Sequence, residues 1–320
     1  MSSNAKTCSV VIPSMGRRPC LINCMGDLAK MNTLPQEVLV IEQGEAPAPL
    51  PAPNAFEMRQ LHCKEPNASL ARNIGLAEAS GDIVLFLDDD VRISNPNFLK
   101  NHLRHYEDPT IPGVYGQVLE VSQEPTDQPD PSVIETDAGW MNLPANYARR
   151  CRTRNGGSGN LSVRRDLALA VGGMDAWFEK GARREETEFN LRLTKRYGYL
   201  AFDPEAGLTH LSAGGGSRTW GHVRRTVPMH HIVGHWYFLL RALCDRTLSP
   251  HGILREIRHI AVALLKNPQV GKSPIVFLRN SGRAIWGFGI ALTRLARGPR
   301  HVRTLPKGSY HEIKAERVAE

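Results

Sequence analysis

Residues 67–90 read NASLARNIGLAEASGDIVLFLDDD. Asn67 to Ser80 has the apolar spacing of a helix and is stopped by Gly81. Ile83 to Leu87 (IVLFL) is then an unbroken apolar run, the pattern of a buried strand, and it leads directly into Asp88, Asp89 and Asp90. Three adjacent carboxylates at a strand end repel one another, so something positive has to offset them. Mg²⁺ or Mn²⁺ carrying a phosphate answers that need, because hard cations take oxygen ligands and share them with diphosphates. The plain alternative is a helix-capping cluster before Ser94-Asn95-Pro96, or a solvated acidic turn.

Working outward, the front of the chain alternates strand-like and helix-like pieces. Cys8 to Ile12 is a short β-branched run ended by Pro13-Ser14, and Leu21 to Met31 has helical spacing. Glu37 to Glu42 (EVLVIE) predicts a second buried strand, 46–53 is Pro-rich loop, and Phe56 to Leu61 is a candidate third strand. This alternation predicts an α/β fold with a largely parallel sheet, whose ligands gather at the carboxyl ends of strands, where the three aspartates fall. Further on, 155–160 (NGGSGN) is a Gly-rich loop, Glu186 to Arg196 is helical, and Tyr199 to Phe202 is strand-like. Beyond Trp220 the pattern is helical, with helices expected over His230–Cys244, Ile253–Lys266 and Ile275–Arg297. Gly214-Gly215-Gly216 is the natural cut, giving a catalytic region over 1–217 and a helical region over 218–320.

Composition narrows the classes. Hydrophobic residues make up 41% of the 320 and mean hydropathy is −0.32, which excludes whole-chain disorder and coiled coil. No apolar stretch reaches the ~20 residues that cross a bilayer, and Met1 to Lys6 lacks the apolar core of a secretion signal. Six cysteines without a C-x-x-C pair predict reduced thiols and a cytoplasmic protein. The net charge of +8 is uneven: residues 218–320 hold 18 Lys and Arg against 5 Asp and Glu, so the remaining 217 are mildly acidic. A tail this basic predicts a polyanionic partner, a membrane face or a nucleic acid.

Two further features could carry chemistry. Glu185-Glu186-Thr187-Glu188 opens a helix, where carboxylates are favoured by the helix dipole whatever their role. One of them could also serve as general base on an alcohol. His210 follows a strand-like stretch, and a lone histidine is more often structural than a ligand.

In combination these pieces say more. The order strand–DDD, GGSGN (156–160), GGMD (172–175), EETEFNLRL (185–193), DPEAGLTH (203–210) resembles the inverting nucleotide-sugar transferases of glycosyltransferase family 2, which implies an α/β GT-A fold, a doubly wound mixed sheet, here with a C-terminal helical extension. VVIPSMGRRP (10–19) is similar to that family's opening strand and nucleotide loop, bringing in Pro13 and Ser14. The resemblance covers about the first two-thirds of the chain. It implies that Asp90 and His210 hold the metal and that Asp88 and Asp89 contact ribose, or the metal through water. It implies that Glu186, the second member of Glu185-Glu186, is the base. Glu42 stands where the family commonly reads the nucleobase with an aspartate. Arg72 and Arg218 would add charge-assisted hydrogen bonds to the diphosphate, Arg72 having an exposed helix position as its plain alternative. Gly214–Gly216 would hinge a lid.

The partners implied are a nucleotide-sugar donor and a carbohydrate or lipid-linked acceptor, in cell-surface polysaccharide or glycolipid assembly. The Q-x-x-R-W signature of processive, membrane-embedded relatives is missing at Ser217–Trp220, which favours single addition. The alternatives are a sugar-phosphate nucleotidyltransferase and a nucleic-acid-binding protein acting through the tail, whose aromatics sit in apolar helical runs better suited to burial than to base stacking. Arg279, Arg283, Arg294 and Arg297 would share one side of a helix with Phe277, Ile285 and Trp286 nearby, extended by Lys272 and Arg300. That arrangement predicts peripheral docking on the inner face of the cell membrane, against the plain alternative of a solvated basic face.

Overall fold

A computed structural model describes residues 6–216, 227–265 and 274–313. The first half of the catalytic region comprises β1 (Cys8–Ser14), α1 (Arg18–Leu28), β2 (Glu37–Gln43), β3 (Glu57–Cys63), α2 (Ala68–Glu78) and β4 (Ile83–Leu87). The second half comprises β5 (Val91–Arg92), α3 (Phe98–Leu103), β6 (Gly113–Glu120), α4 (Pro131–Ile134), β7 (Cys151–Thr153), β8 (Asn160–Arg164), α5 (Arg165–Ala170), α6 (Glu185–Tyr197) and β9 (Leu200–His210). Then come α7 (Met229–Cys244), α8 (Pro250–Leu265), α9 (Pro274–Arg297) and β10 (Tyr310–Ile313).

The strands form one sheet in the order β10-β3-β2-β1-β4-β8-β6-β9-β5, with β7 paired to β9. β1 to β4 are parallel, with α1 crossing from β1 to β2, α2 crossing from β3 to β4, and the Pro-rich loop joining β2 to β3. The parallel alternation read from the front of the chain ends there, and the mixed sheet that the GT-A resemblance implies follows. β8 lies antiparallel to both β4 and β6, β9 parallel to β6, and β5 antiparallel to β9, so the sheet is mixed.

Successive side chains on these strands point to opposite faces, and both faces are covered. Val11, Leu39, Val84 and Phe86 pack with Leu70 and Ile74 of α2. Val10, Ile12, Leu85 and Leu87 pack with Leu21 and Met25 of α1 and Phe98 of α3. Asn67 caps α2 by accepting a hydrogen bond from the Leu70 amide at 3.1 Å. α1 starts at Arg18, three residues before the expected Leu21, because Pro19 suits the first turn of a helix, where its missing N–H goes unused. β9 runs on through Pro204, where the short strand-like stretch was expected to end. The β6–β9 register skips between Gly116 and Val118 opposite that proline, so no ladder hydrogen bond is asked of it.

The C-terminal region is packed onto the catalytic one. Tyr237, Phe238 and Ala242 of α7 and Ala291 of α9 share a core with Trp140, Phe178 and Leu191. The expectation that 218–320 is helical needs amending at its end, since β10 adds antiparallel to β3 and extends the catalytic sheet. Part of the basic charge is also answered internally. Arg294 and Arg300 pair with Glu179 and Glu65, and Arg294, Arg297 and Arg300 all lie over the Trp177 ring.

α2 lies so close to the sheet that a Cβ on Gly75 would sit 2.2 Å from Val11 Cγ1. Gly75→Ala should therefore lower stability by about 1–3 kcal/mol through overpacking. A reduced denaturant midpoint with unchanged secondary structure would show this; an unchanged midpoint would mean that the layer yields freely.

Candidate active site

β4 leads into the three aspartates beside a cleft of about 500 Å³ that Asp88 and Asp90 line, and each meets a basic group, Arg17 serving both Asp89 and Asp90. Asp88 accepts a hydrogen bond from Arg72 Nη2 at 3.0 Å. Asp89 is fully buried, accepts from Ser14 Oγ at 2.7 Å and pairs with Arg17 at 2.5 Å. Asp90 accepts from Arg17 Nη1 at 2.7 Å and from the Ala213 amide at 3.0 Å. Its second oxygen, Oδ1, lies 3.3 Å from His210 Nε2. That last contact is a product of topology: β5 pairs antiparallel with β9, Val91 opposite His210, and this sets the histidine beside Asp90.

Burial raises the Asp89 pKa to about 6 even against Arg17 and Ser14. Burial acts on Asp90 in the same direction, but the His210 hydrogen bond and Arg17 outweigh it and hold the carboxyl below its ordinary value. The contact with Asp90 in turn raises the His210 pKa.

Ligand atoms of Asp88, Asp90 and His210 lie within 4.8 Å of one another. Two carboxylates and an imidazole converging on one cleft suit a divalent cation of the Mg²⁺ or Mn²⁺ type, and the contact of Asp90 Oδ1 with His210 is between two of the groups that such an ion would share. Asp89 is not available for the ligand contact expected of it. It turns under the end of β1, does not line the cleft, and serves to hold Ser14 and Arg17.

The two glutamates are separated by one step of helix. Glu185 is buried and accepts from Arg72 Nη1 at 2.9 Å and from Ser69 Oγ at 3.3 Å. Burial, with the neighbouring Glu186 and Asp88 charges, raises its pKa to about 7 against the pull of Arg72. Glu186 is half-buried, lines the cleft, and has no hydrogen-bond or ion-pair partner among the described residues. It is the one carboxylate of the pair left free to meet a ligand.

Other expected positions divide. Pro13 and Ser14 line the cleft. Glu42 does not: it is buried on the other side of β2, where its side chain accepts from Gln60 Nε2, and the next residue, Gln43, faces the cleft. Alternation along the strand decides between the two. Arg72 is no exposed helix residue. It is buried, with one Nη on Glu185 and the other on Asp88, so it ties the acidic groups together before it can serve a diphosphate. Arg218 lies outside the described residues. Gly157 and Gly159 line the cleft, and a Cβ on Gly159 would fall 2.4 Å from Asp88 Oδ2, so only glycine lets the chain pass the aspartate.

Arg17, Tyr115 and Arg183 also line the cleft and were not expected there. Arg17 alone carried a signal, as a basic residue just past the first strand.

The turn that carries Glu185 and Glu186 is held from behind. Arg184 caps α6 with a φ of 79°, in the left-handed region, and donates to Glu256 of α8 at 2.8 and 3.2 Å. His235 of α7 donates to the same fully buried carboxylate at 2.8 Å.

The architecture is that of the GT-A glycosyltransferase fold. Solved structures share the fold. S. aureus TarS 1–349 matches at 14% identity with a TM-score of 0.60, covering 89% of this chain and 80% of that one. The mannosyltransferase PcManGT from Pyrobaculum calidifontis, in complex with GDP-Man and Mn²⁺, matches at 13% identity with a TM-score of 0.56, covering 91% and 83%. The family model for glycosyl transferase family 2 matches residues 9–168, and the chain belongs to that family. The succinoglycan biosynthesis protein ExoM of Rhizobium meliloti (strain 1021) is 29% identical over 200 residues, 59% of this chain. The match spans 62% of that relative's length. Membership sets the nucleotidyltransferase alternative aside.

Burial acts to raise the Glu256 pKa, but His235 and Arg184 outweigh it and hold the carboxyl below its ordinary 4.5. A group whose pKa is depressed on folding stabilises the fold above its unfolded value and loses that contribution as pH falls through the folded one. Thermal midpoints should therefore drop as pH falls below about 4.5. Glu256→Gln should be less stable at neutral pH and show a shallower acid loss; parallel curves would count against this linkage.

Proposed function

We propose that the protein is a divalent-metal-dependent, inverting glycosyltransferase that adds a single sugar from a nucleoside-diphosphate donor to a hydroxyl of a carbohydrate or lipid-linked acceptor. We place it in the assembly of a cell-surface polysaccharide or glycolipid, on the cytoplasmic side of the membrane. One observation carries the reading: the free carboxylate of Glu186 lines the same cleft as the Asp88–Asp90–His210 cluster. The likeness to a succinoglycan biosynthesis protein supports the polysaccharide context, and the GDP-Man and Mn²⁺ in the mannosyltransferase support donor class and metal.

Asp88, Asp90 and His210 would hold Mg²⁺ or Mn²⁺, which when bound neutralises charge on a leaving diphosphate. Arg17, on the same side of the cleft, adds a fixed positive charge there. Glu186 takes the proton of the acceptor hydroxyl as its oxygen attacks the anomeric carbon, and the bond from that carbon to the diphosphate oxygen breaks on the opposite face. A single displacement of this kind inverts the anomeric centre. Glu185 holds Arg72 in place, so the two adjacent glutamates have separate tasks.

Glu186→Gln keeps the side chain's size but cannot accept the proton, so donor binding should persist while turnover falls by ~10²–10⁴-fold. If Glu185→Gln shows that loss and Glu186→Gln does not, the assignment is reversed. Asp90→Ala should abolish turnover and metal-dependent donor binding in a folded protein, and full activity in excess chelator would refute metal dependence. Product NMR should report inversion.

A further inference from the structure

α9 is amphipathic in an unusual sense. Asn280, Gly287 and Ala291 turn inward, with Gly287 against Ile232 of α7, and Ala291 joins the core shared with the catalytic region. The opposite side is apolar as well. Ile275, Leu278, Ile285, Trp286 and Leu292 follow helical spacing along the outer side, and Ile285 and Trp286 are 73% and 67% exposed. α8 adds Leu254 and Ile257, also exposed. Glycines 282 and 289 fall within the same outer stripe, and among the described residues no atom lies within 4 Å of where a Cβ would sit on either. A water-facing stripe of this kind on a helix whose inner side is already packed points to something that covers it.

The charge around the stripe says what. α9 contains no Asp or Glu, and the one carboxylate of α8, Glu256, is fully buried on Arg184 and His235. Arg279 borders the stripe and Arg258 is exposed on α8; neither meets a carboxylate among the described residues. Arg283, beside them, donates to the Val227 carbonyl. The four-arginine row expected from the sequence is thus split. Arg294 and Arg297 are drawn to Trp177, and Arg294 also to Glu179, whereas Arg258 on α8 and Arg279 on α9 stay exposed. Lys272 lies outside the described residues.

We infer that the outer face of α8 and α9 is a docking surface for an anionic lipid bilayer, with Ile285 and Trp286 entering the headgroup boundary and the exposed Arg258 and Arg279 meeting lipid phosphates. The inference rests on the lipid-linked branch of the proposed function and gives it a contact surface. Among the described residues no helix is long and apolar enough to cross a membrane, so the helices lie along the surface. Tryptophan and arginine on one outward side of a helix suit the water–lipid boundary. A second copy of the chain is the weaker occupant, because pairing this face with itself would bring like-charged arginines together with no acid to answer them.

The test is flotation of the full chain with vesicles of phosphatidylcholine alone and of phosphatidylcholine with phosphatidylglycerol, at low and high salt. Binding of UDP and GDP with Mn²⁺ is measured in parallel, as a separate readout of the transferase site. The wild type should float with the anionic vesicles at low salt and be released at high salt. The Ile285→Glu/Trp286→Glu double variant should lose this partitioning by at least roughly tenfold. Arg258→Gln/Arg279→Gln should lose the preference for anionic vesicles by a similar factor. Nucleotide binding and thermal midpoint should stay as in the wild type in both variants, since all four side chains lie outside the cleft. Absence of flotation while nucleotide still binds would overturn the docking surface and leave the transferase reading standing. Flotation without nucleotide binding would support the surface and count against that reading. Equal flotation with neutral vesicles would overturn the role given to the arginines. A solution dimer dispersed by the double variant, without flotation, would assign the face to a second copy and overturn the proposal.

Discussion

Three like charges at the end of one buried strand constrain everything around them. Asp88, Asp89 and Asp90 can stay ionised together only if each is answered, and the answers come from separate parts of the chain. Arg17 arrives from the turn after β1, Arg72 from within α2, and His210 from the end of β9. The Ala213 amide contributes one further donor. Their convergence depends on the parallel β1–β4 pairing on one side and the antiparallel β5–β9 pairing on the other. The sheet is thus the device that makes a concentrated negative site affordable, and it leaves Asp88, Asp90 and His210 close enough to share a cation.

Beyond the aspartates, acidic groups are sorted by how completely they are tied. At the start of α6, Glu185 is tied by Arg72 and Ser69, and Glu188 by Arg192 one turn on. Glu186 between them has no such tie among the described residues. Helical geometry separates neighbouring side chains by ~100° around the axis, so one can face the interior while the next faces the cleft. The left-handed Arg184 before them fixes where that helix begins, and the buried Glu256–His235 pair holds Arg184. The C-terminal helices therefore reach the turn of Glu185 and Glu186 from behind while their outer side carries the exposed apolar stripe.

The electrostatic asymmetry of the chain acquires two meanings in three dimensions. Part of the basic excess beyond residue 217 closes the fold, because Arg294 and Arg300 neutralise Glu179 and Glu65 and three arginines gather on Trp177. Others, Arg258 and Arg279 among them, stay exposed on α8 and α9. A count of charges along a sequence cannot divide these two uses, since both draw on the same residue types at similar spacing.

Much of the architecture was legible locally. The helix and strand of 67–87, the aspartates that follow, the parallel front half and the long helices of the tail all follow from spacing and apolar runs, because each depends on neighbours within a few residues. The order of clusters along the chain was enough to suggest the family. Which carboxylate is free, which is tied and which is buried depended on side chains more than a hundred positions away, as with Arg72 on Glu185 or His210 beside Asp90. Glu42 and Gln43 are adjacent in sequence, and only the registered sheet turns the second toward the cleft. Local pattern determined where the elements lie and which residue types stand at strand ends. Tertiary packing alone decided their pairing, because charge neutralisation and burial act through space and take no account of sequence distance.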